Sequence, residues 1–183
     1  MAIVAYCMLA SFTMFKPSAS AAQKSTLTVN RKTVSDTQFA SQPNLINPNK
    51  VFSLVNSERA SFGSSNLQAN VKLAQIASVR AKDLVTRKYY AHKNPDGKYF
   101  YDLFSQYGFS SEHSCENLDM VFSNDPGKVV SDWMASTHGH RECLINNSIT
   151  EAGYAVAKLT DVHYGSTTTT AYVVVAIHST DIF

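Results

Sequence analysis

Residues 73–97 read LAQIASVRAKDLVTRKYYAHKNPDG, and the reading of this stretch decides the fold. Leu73, Ile76, Ala77, Ala81, Leu84 and Val85 recur at three- and four-residue intervals, while Lys72, Arg80, Lys82 and Asp83 mostly take the other side. That spacing predicts an amphipathic helix with one face committed to a core. The helix runs down to Tyr89 and Tyr90, which puts His92 just past its C-terminal end. Asn94-Pro95-Asp96-Gly97 follows as a turn, the proline setting φ and the glycine permitting a positive one.

Upstream, Val51, Phe52, Val55 and Phe62 fall on one face of an earlier helix, and Gly63-Ser64-Ser65 stops it. Downstream, a third helix is expected over 101–107, ending at Gly108. Over 116–122, Leu118, Met120 and Phe122 alternate with Asn117, Asp119 and Val121, which suits a strand. Asp125-Pro126-Gly127 opens another helix carrying Val129, Val130, Trp133 and Met134. The remainder reads as a hairpin: 152–159, a turn at Tyr164-Gly165-Ser166, and 168–178, whose Tyr172-Val173-Val174-Val175 run is too apolar for an exposed edge. Helices first, sheet interleaved and sheet last is the order of a layered α+β domain. Trp133, Phe122 and Tyr154 are expected in its core.

The chain has 183 residues, 44% of them hydrophobic and 16% charged, with a formal net charge of +2. That is enough for one domain with a real core, and a monomer is expected. Charges of both signs are mixed along the chain, which argues against nucleic acid and anionic membrane as partners. Residues 1–15 are apolar and uncharged, and Lys16-Pro17-Ser18-Ala19-Ser20-Ala21-Ala22 offers small residues for cleavage. The segment 1–22 is read as a secretory signal peptide, shorter than the roughly 18–20 apolar residues of a spanning helix. Its removal takes away Lys16 and lowers the charge from +2 to +1. Residues 23–49 are rich in Ser, Thr, Asn, Gln and Lys and read as a flexible leader or wall-spanning linker, leaving 50–183 as the folded domain. Cys7 departs with the signal, so Cys115 and Cys143 remain in an exported chain. One disulfide is the default, worth roughly 3.5 kcal/mol in the chain-entropy description.

Chemistry concentrates in three motif residues: His92 in the stretch quoted above, Glu116 in Cys115-Glu116-Asn117, and His140 in His138-Gly139-His140-Arg141. Two imidazoles and a carboxylate can hold a metal, move a proton or grip a polar ligand. In the metal reading His92 and His140 are ligands, Glu116 is a third ligand or outer support, and zinc is the first candidate. A variant set draws on Cys115, Cys143, His140 and His92, although an oxidising compartment favours the disulfide. A hydrolytic reading takes Ser136 or Thr137 as nucleophile with a histidine as base, or a metal-bound hydroxide, or Cys115 as a thiolate if reduced. It lacks a Gly-x-Ser-x-Gly elbow and a His-Glu-x-x-His pair. In the plainest reading the three residues form a buried polar network pinning helices to sheet. All of these look alike in sequence. His113, His163 and His178 lie outside the motifs, and His178, in an apolar strand, reads as a satisfied interior imidazole. Asn146-Asn147-Ser148 matches a glycosylation sequon, relevant only to a eukaryotic secretory route.

Asn56-Ser57-Glu58-Arg59, the alanine-rich helix ending in Tyr-x-His with Pro-Asp-Gly behind it, Glu116-Asn117, Trp133-Met134-Ala135-Ser136, Gly139-His140-Arg141 and Glu151-Ala152-Gly153-Tyr154 occur in one order and spacing. In that order and spacing they resemble the CAP superfamily of cysteine-rich secretory, antigen 5 and pathogenesis-related proteins, and above all its bacterial SCP-like branch. The resemblance implies a three-layer α-β-α sandwich with a central antiparallel sheet and a cleft onto which His92, Glu116 and His140 converge. Ser136 stands where many eukaryotic members carry a second glutamate. Cys115 and Cys143 stand where the bacterial pattern has glycine and asparagine, and two such departures flanking one site suggest a bridge between them. The function implied is that of a secreted, envelope- or cell-wall-associated binding module for a lipid, glycan or peptide, without catalysis. The rival is a metal-dependent extracellular hydrolase acting on protein or cell wall.

Overall fold

The structure is a computed structural model and describes residues 45–180. The signal peptide expected over 1–22, with Cys7, and most of the leader expected over 23–49 lie outside the described residues. No helix among the described residues is long and apolar enough to cross a membrane.

Helix α1, Pro48–Ser61, begins three residues before the predicted Val51, because Asn47 supplies a cap. Its side chain accepts from the Asn49 amide at 2.9 Å, and Pro48 sits where no intrahelical N–H is needed. Ile46 is fully buried ahead of the helix. Phe62, expected on the buried face, lies past the helix end and is 47% exposed, with the Arg141 guanidinium 5.0 Å over its ring. Helix α2, Val71–Arg87, matches the predicted amphipathic helix. Asn70 caps it through the amides of Lys72 and Leu73, and Lys88 ends it in the left-handed conformation at φ 54°.

The helix expected over 101–107 resolves into two short 3₁₀ turns, Phe100–Leu103 and Ser105–Tyr107. Its aromatic, Asp and Ser residues have modest helix propensity, and i→i+3 bonds such as Phe104 N to Tyr101 O close the turns. Phe100 and Phe104 thereby pack against α2.

The sheet has strands β1, Gln68–Ala69; β2, Ser114–Val121; β3, Glu151–Tyr164; and β4, Thr167–Ser179, in the order β1-β3-β4-β2. All pairings are antiparallel except the two-residue β1, which runs parallel to β3. β4 is central and buried from Ala171 to Ser179, as its apolar run predicts. Helix α3, Pro126–Ala135, capped by Asp125, and the six-residue α4, His140–Ile145, complete the described elements. Two cores result. Val51, Val55, Val130, Trp133 and Leu144 fill the layer between α1, α3, α4 and the sheet. Leu73, Ile76, Leu84, Val173 and Val175 fill the layer between α2 and the other face. The fold is therefore the three-layer α-β-α sandwich expected. Phe122 departs from expectation: it follows the last residue of β2, is 48% exposed and pairs with the Tyr164 ring at 5.3 Å instead of entering the core.

Candidate functional site

β2 is an edge strand, and its alternation sends consecutive residues into opposite layers. Cys115 and Val121 join the α1/α3/α4 core, whereas Leu118 and Met120 join the α2 core. Glu116 points toward α2 and meets Arg80. The Arg80 Nε–H donates to Oε1 at 2.8 Å and Nη2 donates to Oε2 at 3.3 Å. Nη1 donates to the Tyr89 hydroxyl at 2.6 Å, and Nη2 reaches the carbonyls of Ala91 and His92 at 3.2 and 3.0 Å. The guanidinium thus clamps the carboxylate and the backbone that carries His92 with one planar fork. Burial opposes the Arg80 charge, but the hydrogen bonds and charge of Glu116 outweigh it and raise the guanidinium's pKa. The Tyr89 hydroxyl, donating onward to Asp83, is pushed up to about 12, chiefly by burial. Sequence reading had placed Arg80 on the solvent side of α2, whereas it is 3% exposed. The signal was present, because Arg80 falls four residues after Ile76, three after Ala77 and four before Leu84, on the apolar stripe itself.

His92 Nδ1 lies 2.8 Å from Glu116 Oε2. A carboxylate held in a guanidinium fork only accepts, so Nδ1–H donates and Nε2 is the ring nitrogen left facing away from Glu116. The His92 side chain is 49% exposed, against 1% for Glu116. His140 arrives from the opposite layer. Gly139, at φ 93°, lets the chain enter α4, and the Asn117 side chain donates to the His140 carbonyl at 3.1 Å. The two imidazole rings meet with centroids 6.2 Å apart, inclined at 63°. Partial burial, and then the neighbouring His92 and His138, lower the pKa of His140, so its ring is neutral at pH 7.

The other candidates are placed differently. Ser136 ends α3, and its Oγ accepts the His138 amide at 3.1 Å; Thr137 Oγ1 lies 3.3 Å from the exposed His138 ring. Of the two candidate hydroxyls, Thr137's meets an imidazole, that of the exposed His138, and Ser136's meets a backbone amide. His92, Glu116 and His140 do not bring three ligand atoms together, since among the described residues the group that does so is Cys115, Cys143 and His178. Both oxygens of Glu116 are turned to Arg80 and the two imidazoles find no third donor atom converging with them among the described residues, which does not fit a zinc centre.

Cys115 and Cys143 are joined as a disulfide, their Cα atoms 6.2 Å apart. His178 is the interior imidazole expected, with Nε2 at 2.7 Å from the Tyr154 hydroxyl. Sequence reading gave Asp119 no role. Burial, with the charge of Asp132 adding, pushes its carboxyl up to about 7, and its Oδ2 is buried without a hydrogen-bond partner.

A family model described as the cysteine-rich secretory protein family, CAP, matches residues 52–177. An uncharacterized Bacillus subtilis protein, YkwD, is 31% identical over 104 residues, which is 57% of this chain and 40% of that protein, so the chain spans well under half the length of this relative. Among solved structures, an extracellular SCP-domain protein of Bacillus anthracis superposes with TM-score 0.61 at 19% identity, over 73% of this chain and 40% of that one. An outer surface protein of Borrelia burgdorferi superposes with TM-score 0.62 at 20% identity, over 73% of this chain and 92% of that one. With the sandwich, the Glu116–Asn117 strand and the facing histidines in place, the chain belongs to the cysteine-rich secretory protein family, the CAP superfamily, in its bacterial SCP-like branch.

Proposed function

We propose that this protein is an extracellular, non-catalytic binding module whose cleft presents His92 and His140 to the polar end of a lipid, glycan or peptide ligand at the cell envelope. The observation that carries the reading is the engagement of both oxygens of Glu116. Its oxygens already accept from Arg80 and from His92, so it serves as an anchor instead of a base or metal ligand. What remains open to solvent is the half-exposed His92 ring beside His140. With Nδ1 of His92 held by Glu116, the Nε2 of His92 and the neutral ring of His140 are what the cleft offers, which suits hydroxyl, amide or carboxylate groups better than it suits bond cleavage. The extracellular setting draws on the signal reading of 1–22 and on the extracellular and outer-surface descriptions of the structural relatives.

The test follows the imidazole resonances of His92 and His140 by NMR as the metal-stripped protein is titrated with soluble cell-wall glycan fragments, fatty-acid dispersions and an unstructured peptide. One ligand class is expected to shift both rings saturably, to lose that effect in His92→Ala with the fold intact, and to be recovered uncut. Recovery of a cleaved ligand at a rate that His92→Ala abolishes would overturn the reading. So would stoichiometric zinc binding at neutral pH that the His92→Ala, His140→Ala double variant removes, or silence of both rings toward all three classes.

A further inference from the structure

Cys115, Cys143 and His178 come from β2, α4 and β4 and meet beneath α4. His178 is the cross-strand partner of Cys115 in the β2–β4 ladder. One donor atom from each residue lies within 4.8 Å of the other two. His178 Nδ1 is 3.4 Å from Cys143 Sγ, and its Nε2 faces the Tyr154 hydroxyl at 2.7 Å. His178 is fully buried, Cys143 is 8% exposed, and Cys115, on the edge strand, is only partly covered.

We propose that reduction of the Cys115–Cys143 disulfide creates a zinc site in which Cys115 Sγ, Cys143 Sγ and His178 Nδ1 are the protein ligands and the fourth position is open. This is independent of the His92–His140 cleft. Among the sequence alternatives, a set combining the two cysteines with His140 and His92 is replaced here by one that uses His178, which the motifs did not mark.

The chemistry balances with an external dithiol as reductant. Two electrons and two protons pass to the cystine, its S–S bond breaks to give two thiols, and the reductant closes its own disulfide. Zinc then displaces both thiol protons to solvent. In a tetrahedral zinc centre with Zn–S of about 2.3 Å and Zn–N of about 2.0 Å, neighbouring sulfur and nitrogen ligands stand roughly 3.5 Å apart and two sulfurs roughly 3.8 Å apart. The Nδ1 to Sγ separation of 3.4 Å already meets the first requirement. The second asks only that the freed sulfurs part, one on an edge strand and the other in a six-residue helix. The Tyr154 hydroxyl fixes the ring from its far nitrogen, as an outer partner of a metal-bound histidine does. Burial, with the Arg59 charge adding, pushes the His178 imidazole down to about 3, so it enters the site neutral with a lone pair to give. Coordination would then replace the covalent tie between β2 and α4, and the chain would hold its cleft together under reducing as well as oxidising conditions.

The test uses the full chain carrying Cys7→Ser, reduced with a dithiol, desalted anaerobically and titrated with zinc and with cobalt(II) as a spectroscopic probe. The expected result is one equivalent of metal, a thiolate-to-cobalt charge-transfer band, a retained near-ultraviolet dichroism signal, and X-ray absorption showing two sulfurs and one imidazole on zinc. His178→Gln should weaken binding about tenfold or more, Cys115→Ser should remove the charge-transfer band, and His92→Ala with His140→Ala should change neither. The X-ray absorption count on the unsubstituted histidine decides the matter even where His178→Gln fails to fold. The proposal is overturned if the reduced chain binds zinc no more tightly than the oxidised chain, if the zinc shell lacks imidazole, or if metal is taken up only after the near-ultraviolet signal is lost.

Discussion

Arg80→Met is the substitution that separates an anchored site from an incidental ion pair. The variant removes the guanidinium that pairs with a Glu116 side chain only 1% exposed, and it strips partners from the Tyr89 hydroxyl and the carbonyls of Ala91 and His92. Breaking one half of a buried, hydrogen-bonded pair costs about 3–5 kcal/mol, because the remaining charge keeps its desolvation penalty without its compensation. Glu116→Leu in the same background removes the stranded carboxylate and should recover about 2 kcal/mol of that loss, the coupling expected of groups in one network. Full recovery is not expected, since the two carbonyls stay unpaired. The assay is urea unfolding followed by the fluorescence of Trp133, the chain's single tryptophan, which is 1% exposed and reports the opposite layer of the sandwich. An Arg80→Met cost below about 1 kcal/mol, or strict additivity of the two substitutions, would refute the claim that Arg80 is the keystone of the cleft.

Asp119 makes the stability depend on pH. Its folded-state carboxyl is pushed up to about 7 from the ordinary 3.8, so the stability it contributes is full below about pH 4 and is lost as the pH rises through about 7. Asp119→Asn should flatten that decline, with a wild-type minus variant difference of about 1–3 kcal/mol between acid and neutral unfolding curves; parallel curves would refute the assignment. At Gly153 an added Cβ would stand 2.0 Å from the Ala74 backbone nitrogen, where β3 supports the start of α2. Gly153→Ala should therefore cost about 3 kcal/mol in urea unfolding, and a neutral result would mean that α2 can move off the sheet. Replacing Cys115 and Cys143 together by serine opens a loop with a sequence separation of 28 and should cost about 3.5 kcal/mol at most. No change in the urea midpoint would show the unfolded chain to be already compact.

How far the sequence carried the argument depended on what kind of force placed each residue. α2 was legible because one apolar stripe recurs from Leu73 to Val85, and β4 because the residues from Ala171 to Ile177 are apolar or aromatic and suit burial from both sides. Glu116 and the two cleft histidines were legible through motifs. Arg80 was assigned by its charge instead of its position, although its place on the stripe pointed inward. Only the partner 36 residues away explains why a charge belongs there. Phe122 and Phe62 show the converse, since their hydrophobicity points to the core but their positions just beyond the ends of β2 and α1 leave them exposed. Arg59 was seen only as a motif letter. It is fully buried and donates to the carbonyls of Ser65, Asn146 and Ile149, so it ties down irregular segments whose partners no local pattern could name. His178 was read correctly as interior, but its approach to Cys143 follows from strand register and from where α4 docks, neither of which is written in spacing.

The network reading and the ligand reading of the cleft, which compete in the sequence, divide by atom in the structure. An edge strand has a partner on one side only, so β2 depends on side-chain anchors to keep its register. It has one from each layer at consecutive residues: Glu116 is clamped by Arg80 from α2, and Cys115 is bonded to Cys143 of α4. Asn117 adds a third by holding the His140 carbonyl. Arg80, Glu116 and Asn117 are buried, and each spends side-chain hydrogen bonds on holding another element in place, as a structural network requires. His92 is not, because half of its ring faces solvent while Nδ1 is held by the network behind it. A residue kept only to pin helix to sheet would be covered as Arg59 and Arg80 are. The exposed edge of His92, set at a fixed distance from a neutral His140, is the part of the constellation that packing does not account for, and it is there that a ligand should be sought.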